Sequence, residues 1–151
     1  MKKNNGFTLI ELMTVIVIIG ILAAIATVNY LSVIKRTNLT ITKTNMQTFQ
    51  TIINTYAVDY GSFFPNNVTE VENEGKLKNY WKDFQNTFTK KIGKGNSFDD
   101  YTVSPQIGIV YYDPQVVSSV TSKYFIYSGS DKTGSFLIDE SNNQTFILSN
   151  K

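Results

Sequence analysis

The residues that most often carry catalysis are missing from this chain, and that narrows its chemistry at once. It has no histidine and no cysteine. Disulfides, thiolate metal sites and every nucleophile paired with an imidazole are therefore excluded. Carboxylates, lysines and tyrosines remain. One carboxylate stands out: Glu11 lies inside a run that is otherwise almost wholly apolar, Phe7 to Ile34. An ionisable side chain in such a run is costly in a membrane and calls for a partner. The apolar residues around it offer none.

The bond between Gly6 and Phe7 supplies one by simple chemistry. Cutting it would free the Phe7 amine, whose reference pKa of about 7.7–8.0 keeps it mostly protonated near neutral pH. Within one chain that amine lies four residues from Glu11. Between neighbouring, axially staggered chains the same pairing becomes a register device, the best-attested use of a buried ion pair.

Other polar groups carry weaker signals. Asp139 and Glu140, followed by Asn142 and Asn143, offer oxygen ligands of the kind calcium takes; a polar hairpin turn is the favoured reading. Lys90, Lys91 and Lys94 alternate with glycines in a loop that hints at phosphate contact. No strand precedes and no helix follows as a phosphate loop requires, so a solvated face is favoured. Asn38, Asn67 and Asn143 open N-x-T triplets, unremarkable in a chain this rich in Asn and Thr.

The elements that must position these groups are read from composition. At about 1.5 Å per residue, Phe7–Ile34 is long enough as a helix to cross a hydrocarbon core of about 30 Å. Lys2 and Lys3 ahead of it favour a cytoplasmic N-terminus. Lys35 and Arg36 close it. From Thr37 to Tyr60, the apolar residues Met46, Phe49, Ile53, Tyr56 and Tyr60 recur at helical spacing, with Ala57 beside them. This stripe is read as a core face. The many threonines of this stretch are mediocre helix formers, so packing must supply stability. No proline or glycine interrupts the chain between Gly20 and Gly61, so one helix of roughly 50 residues, about 80 Å, is expected to end at Gly61 and Pro65.

Beyond it, Lys76–Phe88 reads as a short helix around Leu77, Tyr80, Trp81 and Phe84, with Trp81 as core packing. Short β-like runs follow at Tyr101–Val103, Ile107–Tyr112, Tyr124–Tyr127, Phe136–Ile138 and Thr145–Leu148. The expected fold class is α+β: a long N-terminal spine helix, its second half packed on a small antiparallel sheet. The expected organisation is a leader at 1–6, an apolar assembly half at 7–34 and an extracytoplasmic head at 35–151. Without Lys2 and Lys3, the 14 basic residues become 12 against 12 acidic ones. No dedicated nucleic-acid surface follows from that balance, and no small-molecule site or cofactor is indicated.

The ordered stretch Gly6-Phe-Thr-Leu-Ile-Glu11-Leu resembles the class III signal peptide of type IV prepilins and type II secretion pseudopilins. That resemblance implies a membrane peptidase that cuts after Gly6 and N-methylates Phe7, with Glu11 as the assembly glutamate. It implies a filament of like subunits, driven by an assembly ATPase and a platform protein. It also implies a bacterial inner-membrane precursor, N-terminus inside, that becomes an extracytoplasmic filament: a periplasmic pseudopilus or a surface pilus. No enzymatic activity is expected. Tyr56, Asp59, Gly61 and Pro65 resemble the end of the spine in major pseudopilins and cysteine-free pilins. Ser128–Gly134, with Asp131, is similar to a loop that in some pseudopilins contributes to a calcium site, but has a single acidic residue. Many type IV pilins carry a helix-breaking proline where this chain has Val28, which leans toward a minor subunit and a less readily melted spine.

Three other readings account for parts of the same sequence. An ordinary signal peptide would be cut at Ala24-Ile-Ala26, although the apolar run continues to Ile34. A plain single-pass anchor explains neither Glu11 nor the Gly6–Phe7 junction. A membrane-anchored or secreted binding module would use 7–34 only for export.

Overall fold

The computed structural model describes residues 6–117, 120–130, 133–139 and 144–150. Two compact units divide the chain, Met1–Thr37 and Asn38–Lys151. One helix, α1, spans Leu9–Asp59 without interruption across Gly20 and position 28.

In the first unit α1 is apolar and exposed. The described side chains from Phe7 to Ile34 are all exposed. By length and composition this helix is able to cross a membrane.

In the second unit the same helix becomes amphipathic. Met46, Phe49, Ile52, Ile53 and Tyr56 are buried and meet Val68, Val71, Phe84, Phe98, Val110, Tyr112, Tyr124, Ile126 and Leu137 in one core. The expected stripe is this face, except that Tyr60 sits at its rim, stacked on Tyr56 with ring centroids 4.3 Å apart. The threonines find local partners: Thr42, Thr44, Thr51 and Thr55 each donate a hydroxyl to the carbonyl four residues back. That bond is how a β-branched residue satisfies its hydroxyl within a helix.

The end of α1 is written in its backbone. Gly61 takes φ +63, and the Ser62 N–H reaches back to the Ala57 carbonyl at 2.7 Å, a left-handed closure that glycine makes without strain.

A second helix, α2, spans Val68–Leu77, not the stretch from Lys76 to Phe88. Its start is a cap: the Asn67 side chain accepts from the Glu70 N–H at 2.9 Å, and Glu70 accepts from the Asn66 N–H at 2.8 Å. Its stop is Asn79 at φ +60, with the Tyr80 N–H bonded to the Gly75 carbonyl at 2.9 Å. Residues 80–84 are therefore irregular chain. Trp81 and Phe84 still pack into the core, Trp81 edge-on to Phe98 at 5.0 Å, but Leu77 is exposed. The helical spacing of these aromatics is coincidental.

The main sheet has four strands: β1 (Phe98–Asp100), β2 (Val110–Val117), β3 (Val120–Ser128) and β6 (Leu148–Ser149), ordered β1-β2-β3-β6. β2 and β3 form an antiparallel hairpin, and β6 pairs antiparallel with β3. β1 runs parallel to β2, so the sheet is mixed rather than antiparallel. Tyr101–Val103 lies just beyond β1 and is not a strand. β4 (Ile138–Asp139) and β5 (Gln144–Thr145) form a separate two-stranded ribbon. The fold class is α+β, pilin-like in outline.

Candidate functional site

Gly6, Phe7 and Thr8 precede the helix, which begins at Leu9. All three are exposed, Phe7 at 76%. The Gly6–Phe7 bond thus lies in non-helical chain immediately ahead of a helix start. A peptidase needs such a bond free of helical hydrogen bonds, and Gly6 has open space around its Cα.

Thr8 is the N-cap, and Glu11 is its partner. The Glu11 Oε2 accepts from the Thr8 N–H at 2.9 Å and from the Thr8 hydroxyl at 2.7 Å. In return the Thr8 Oγ1 accepts from the Glu11 N–H at 3.3 Å. The Leu12 N–H then makes the first helical bond, to the Thr8 carbonyl at 3.3 Å. This is a reciprocal capping box, in which threonine and the glutamate three residues on satisfy each other's backbone donors. A carboxylate in the first turn also faces the positive end of the helix dipole.

The expectation that Glu11 has no partner within its own helix is corrected by this geometry. The signal that finds Thr8 is the T-x-x-E spacing of a capping box. The structure pairs Glu11 with Thr8, the residue after Phe7, and the second carboxylate oxygen, Oε1, has no hydrogen bond among the described residues. One oxygen fixes the helix start while the other stays open to a further donor.

The remaining candidates do not converge on it. Asp131 lies outside the described residues. Asp139 lies in β4, paired in register with Gln144. Among the described residues no group of three or more His, Cys, Asp or Glu is placed to hold a metal ion. Lys94 is bound within the head, its ammonium 2.6 Å from Asp100 and 2.9 Å from the Thr69 hydroxyl.

Residues 1–27 match the family model of the prokaryotic N-terminal methylation motif. The chain is 51% identical over 49 residues to the type IV major pilin protein PilA of Myxococcus xanthus, covering 32% of this chain and 22% of that one. It is 55% identical over 40 residues to a probable minor fimbrial protein of Dichelobacter nodosus, 26% of this chain and 25% of the relative. A fimbrial protein of Pseudomonas aeruginosa is 60% identical over 40 residues, 26% of each chain. These matches span only about a quarter of the relatives' lengths. No solved structure matches the chain. What these comparisons share is the N-terminal segment, from the methylation motif into the apolar helix, and there this chain is similar to type IV pilin and fimbrial proteins.

Proposed function

We propose that the chain is a structural subunit, not an enzyme, of a pilin-like filament, made as a precursor that is cut after Gly6 and N-methylated on Phe7. Residues 1–6 act as the leader, 7–34 hold the subunit in the bacterial cytoplasmic membrane with its N-terminus inside, and 35–151 form the head outside. A platform protein and an ATPase then draw it into the filament, where apolar contacts with lipid become contacts between helices. The relatives bear pilin and fimbrial names, which favours a fimbrial subunit over a secretion pseudopilin.

The observation that carries this reading is the geometry at the start of α1. An exposed, non-helical Gly6–Phe7 bond stands next to a capping box whose glutamate keeps one oxygen open. Cleavage there creates a positive charge beside an open carboxylate at the head of an apolar helix. In the filament, the Phe7 amine of one subunit and Glu11 of its neighbour fix axial register. The contact is head-to-tail and does not close into a ring, so it propagates as a fibre.

Mass analysis of the mature N-terminal peptide tests the first step: N-methyl-phenylalanine at Phe7 is expected. A terminus at Thr27 means ordinary signal peptidase and refutes the proposal. Glu11→Ala tests the second. It should leave membrane insertion intact and abolish incorporation into filaments, whereas a binding module that uses 7–34 only for export is indifferent to it.

A further inference from the structure

Six lysines of the head fall into two groups, while Lys43 lies over the Phe146 ring and Lys123 stands apart on β3. Lys76, Lys78 and Lys94 are each ion-paired, with Glu72, with Asp59 and Glu74, and with Asp100. Lys82, Lys90 and Lys91 are exposed and form no ion pair among the described residues. Lys90 and Lys91 occupy a hairpin whose flanks meet at the Gln85–Ile92 bridge.

That hairpin is fastened to the first residues of the head. The Thr87 hydroxyl donates to the Asn38 carbonyl at 3.2 Å, and the Asn45 side chain donates to the Gln85 carbonyl at 3.1 Å. Lys82, Asp83 and Lys90 flank an open groove that also borders Ile41, Thr44 and Thr48 of α1. The hairpin is rigid: Asn86, 1% exposed, accepts from the Phe88 and Thr89 N–H groups and donates to the Asn96 and Ile107 carbonyls.

Lys90 itself is held at φ +61. A long side chain in the left-handed region is a strained choice where glycine or asparagine is at ease. Strain kept at an exposed position points to a use for the side chain.

Asn38 is four residues beyond Ile34, where the apolar run ends. Four residues span at most about 14 Å even fully extended. Whatever path they take, Asn38 can lie no further than that from the end of the apolar run. Lys35 and Arg36 lie within those four residues. The carboxylates Asp59 and Glu74 gather instead around Lys78 at the other end of the head's helix, about 30 Å further along it. Asp83, bonded to the Trp81 indole N–H at 2.8 Å, is the acid next to Lys82.

We infer that Lys90 and Lys91, with Lys82 behind them, form a docking surface for the anionic phospholipid headgroups around the membrane-held subunit. The inference rests on the membrane reading proposed above. Bilayer contact holds the head against the leaflet before assembly, and the contact is released when the subunit leaves the membrane. Each lysine near an anionic surface gains about five-fold in local attraction, decaying over a Debye length of about 8 Å at physiological salt.

The full-length chain in nanodiscs tests this by the rate of lysine acylation, read residue by residue by mass spectrometry. Discs of phosphatidylcholine are compared with discs containing one-third phosphatidylglycerol. Lys90 and Lys91 should react about five-fold more slowly in the anionic discs, and high salt should restore the rate. Lys123, exposed on β3 and without an ion pair among the described residues, should react equally in both. Lys90→Gly relieves the left-handed strain, so its head folds at least as well, yet Lys91 should lose most of its protection. Equal rates in the two discs overturn the proposal. So does protection in phosphatidylcholine discs on adding inorganic phosphate, which marks a free-phosphate site. A chain that fails to enter the discs at all overturns the membrane reading, and the docking surface with it.

Discussion

Asn86 is the test of how the head holds its basic hairpin. Its side chain is 1% exposed and makes four hydrogen bonds, two as donor and two as acceptor, all to backbone. Each is worth about 0.5–1.5 kcal/mol net, and leaving a buried backbone group unpaired costs more. Phe88 is partly exposed and Thr89 exposed, so water re-solvates some of the orphaned groups in a truncated variant. We therefore expect Asn86→Ala to cost about 2–4 kcal/mol. Asn86→Asp keeps both acceptors but turns a carboxylate oxygen toward the Asn96 and Ile107 carbonyls, so at neutral pH it should cost at least as much. Acid should recover part of that loss as the carboxyl gains a proton to donate. The assay is urea unfolding of the full chain in detergent, followed by fluorescence of Trp81, the one tryptophan, packed in the head's core against Phe49 and Phe98. The apolar helix then does not mask the transition. A loss below about 0.5 kcal/mol for both variants, within the usual range for surface changes, refutes the hub.

Two further outcomes follow from the core. Burial raises the Tyr112 phenol well above its ordinary pKa, and burial with the Glu70 carboxylate beside it does the same for Tyr56. A phenol raised in the folded state contributes stability that is full below its unfolded pKa of about 10 and is lost as pH climbs above it. Unfolding free energy should therefore be flat in this respect up to about pH 9 and fall beyond pH 10. Tyr112→Phe, which forfeits the 2.7 Å bond to the Pro65 carbonyl, should lower stability by about 1 kcal/mol at neutral pH and flatten the alkaline fall; an unchanged alkaline limb refutes the assignment. Gly129→Ala should cost about 1–3 kcal/mol, because a Cβ there meets the Pro105 carbonyl oxygen at 2.5 Å and Gln106 backbone at 2.7 Å. Thermal melts of the two chains side by side decide it, and equal melting temperatures mean that the backbone yields.

Much of the N-terminal third was legible as sequence because its signals are local and add up along the chain. Hydropathy from Phe7 to Ile34, absence of breakers between Gly20 and Gly61, and an apolar stripe from Met46 to Tyr56 define α1 without reference to anything distant. The capping box at Thr8 and Glu11 is equally local, since the T-x-x-E spacing contains it.

The head shows where local signals fail. Leu77, Tyr80, Trp81 and Phe84 are spaced like a helix, but Asn79 turns left-handed and the aromatics reach the core from irregular chain. The start of α2 was available at Asn67 and Glu70, yet a polar cap before a weakly apolar run competes poorly with four large side chains. That β1 runs parallel to β2 depends on the 101–109 connection folding back, and Asn86 ties Ile107 in that connection to Asn96 just ahead of β1.

Composition and spacing along one helix are enough to place the apolar segment, the Gly6–Phe7 junction and the charge at Glu11. Which lysines stand without a carboxylate partner among the described residues, and that Lys90 and Lys91 sit at the Asn38 end of the head, follow from the folded head alone. Residues 49 positions apart in sequence, Thr87 and Asn38, make that placement, and no local pattern encodes a contact of that range.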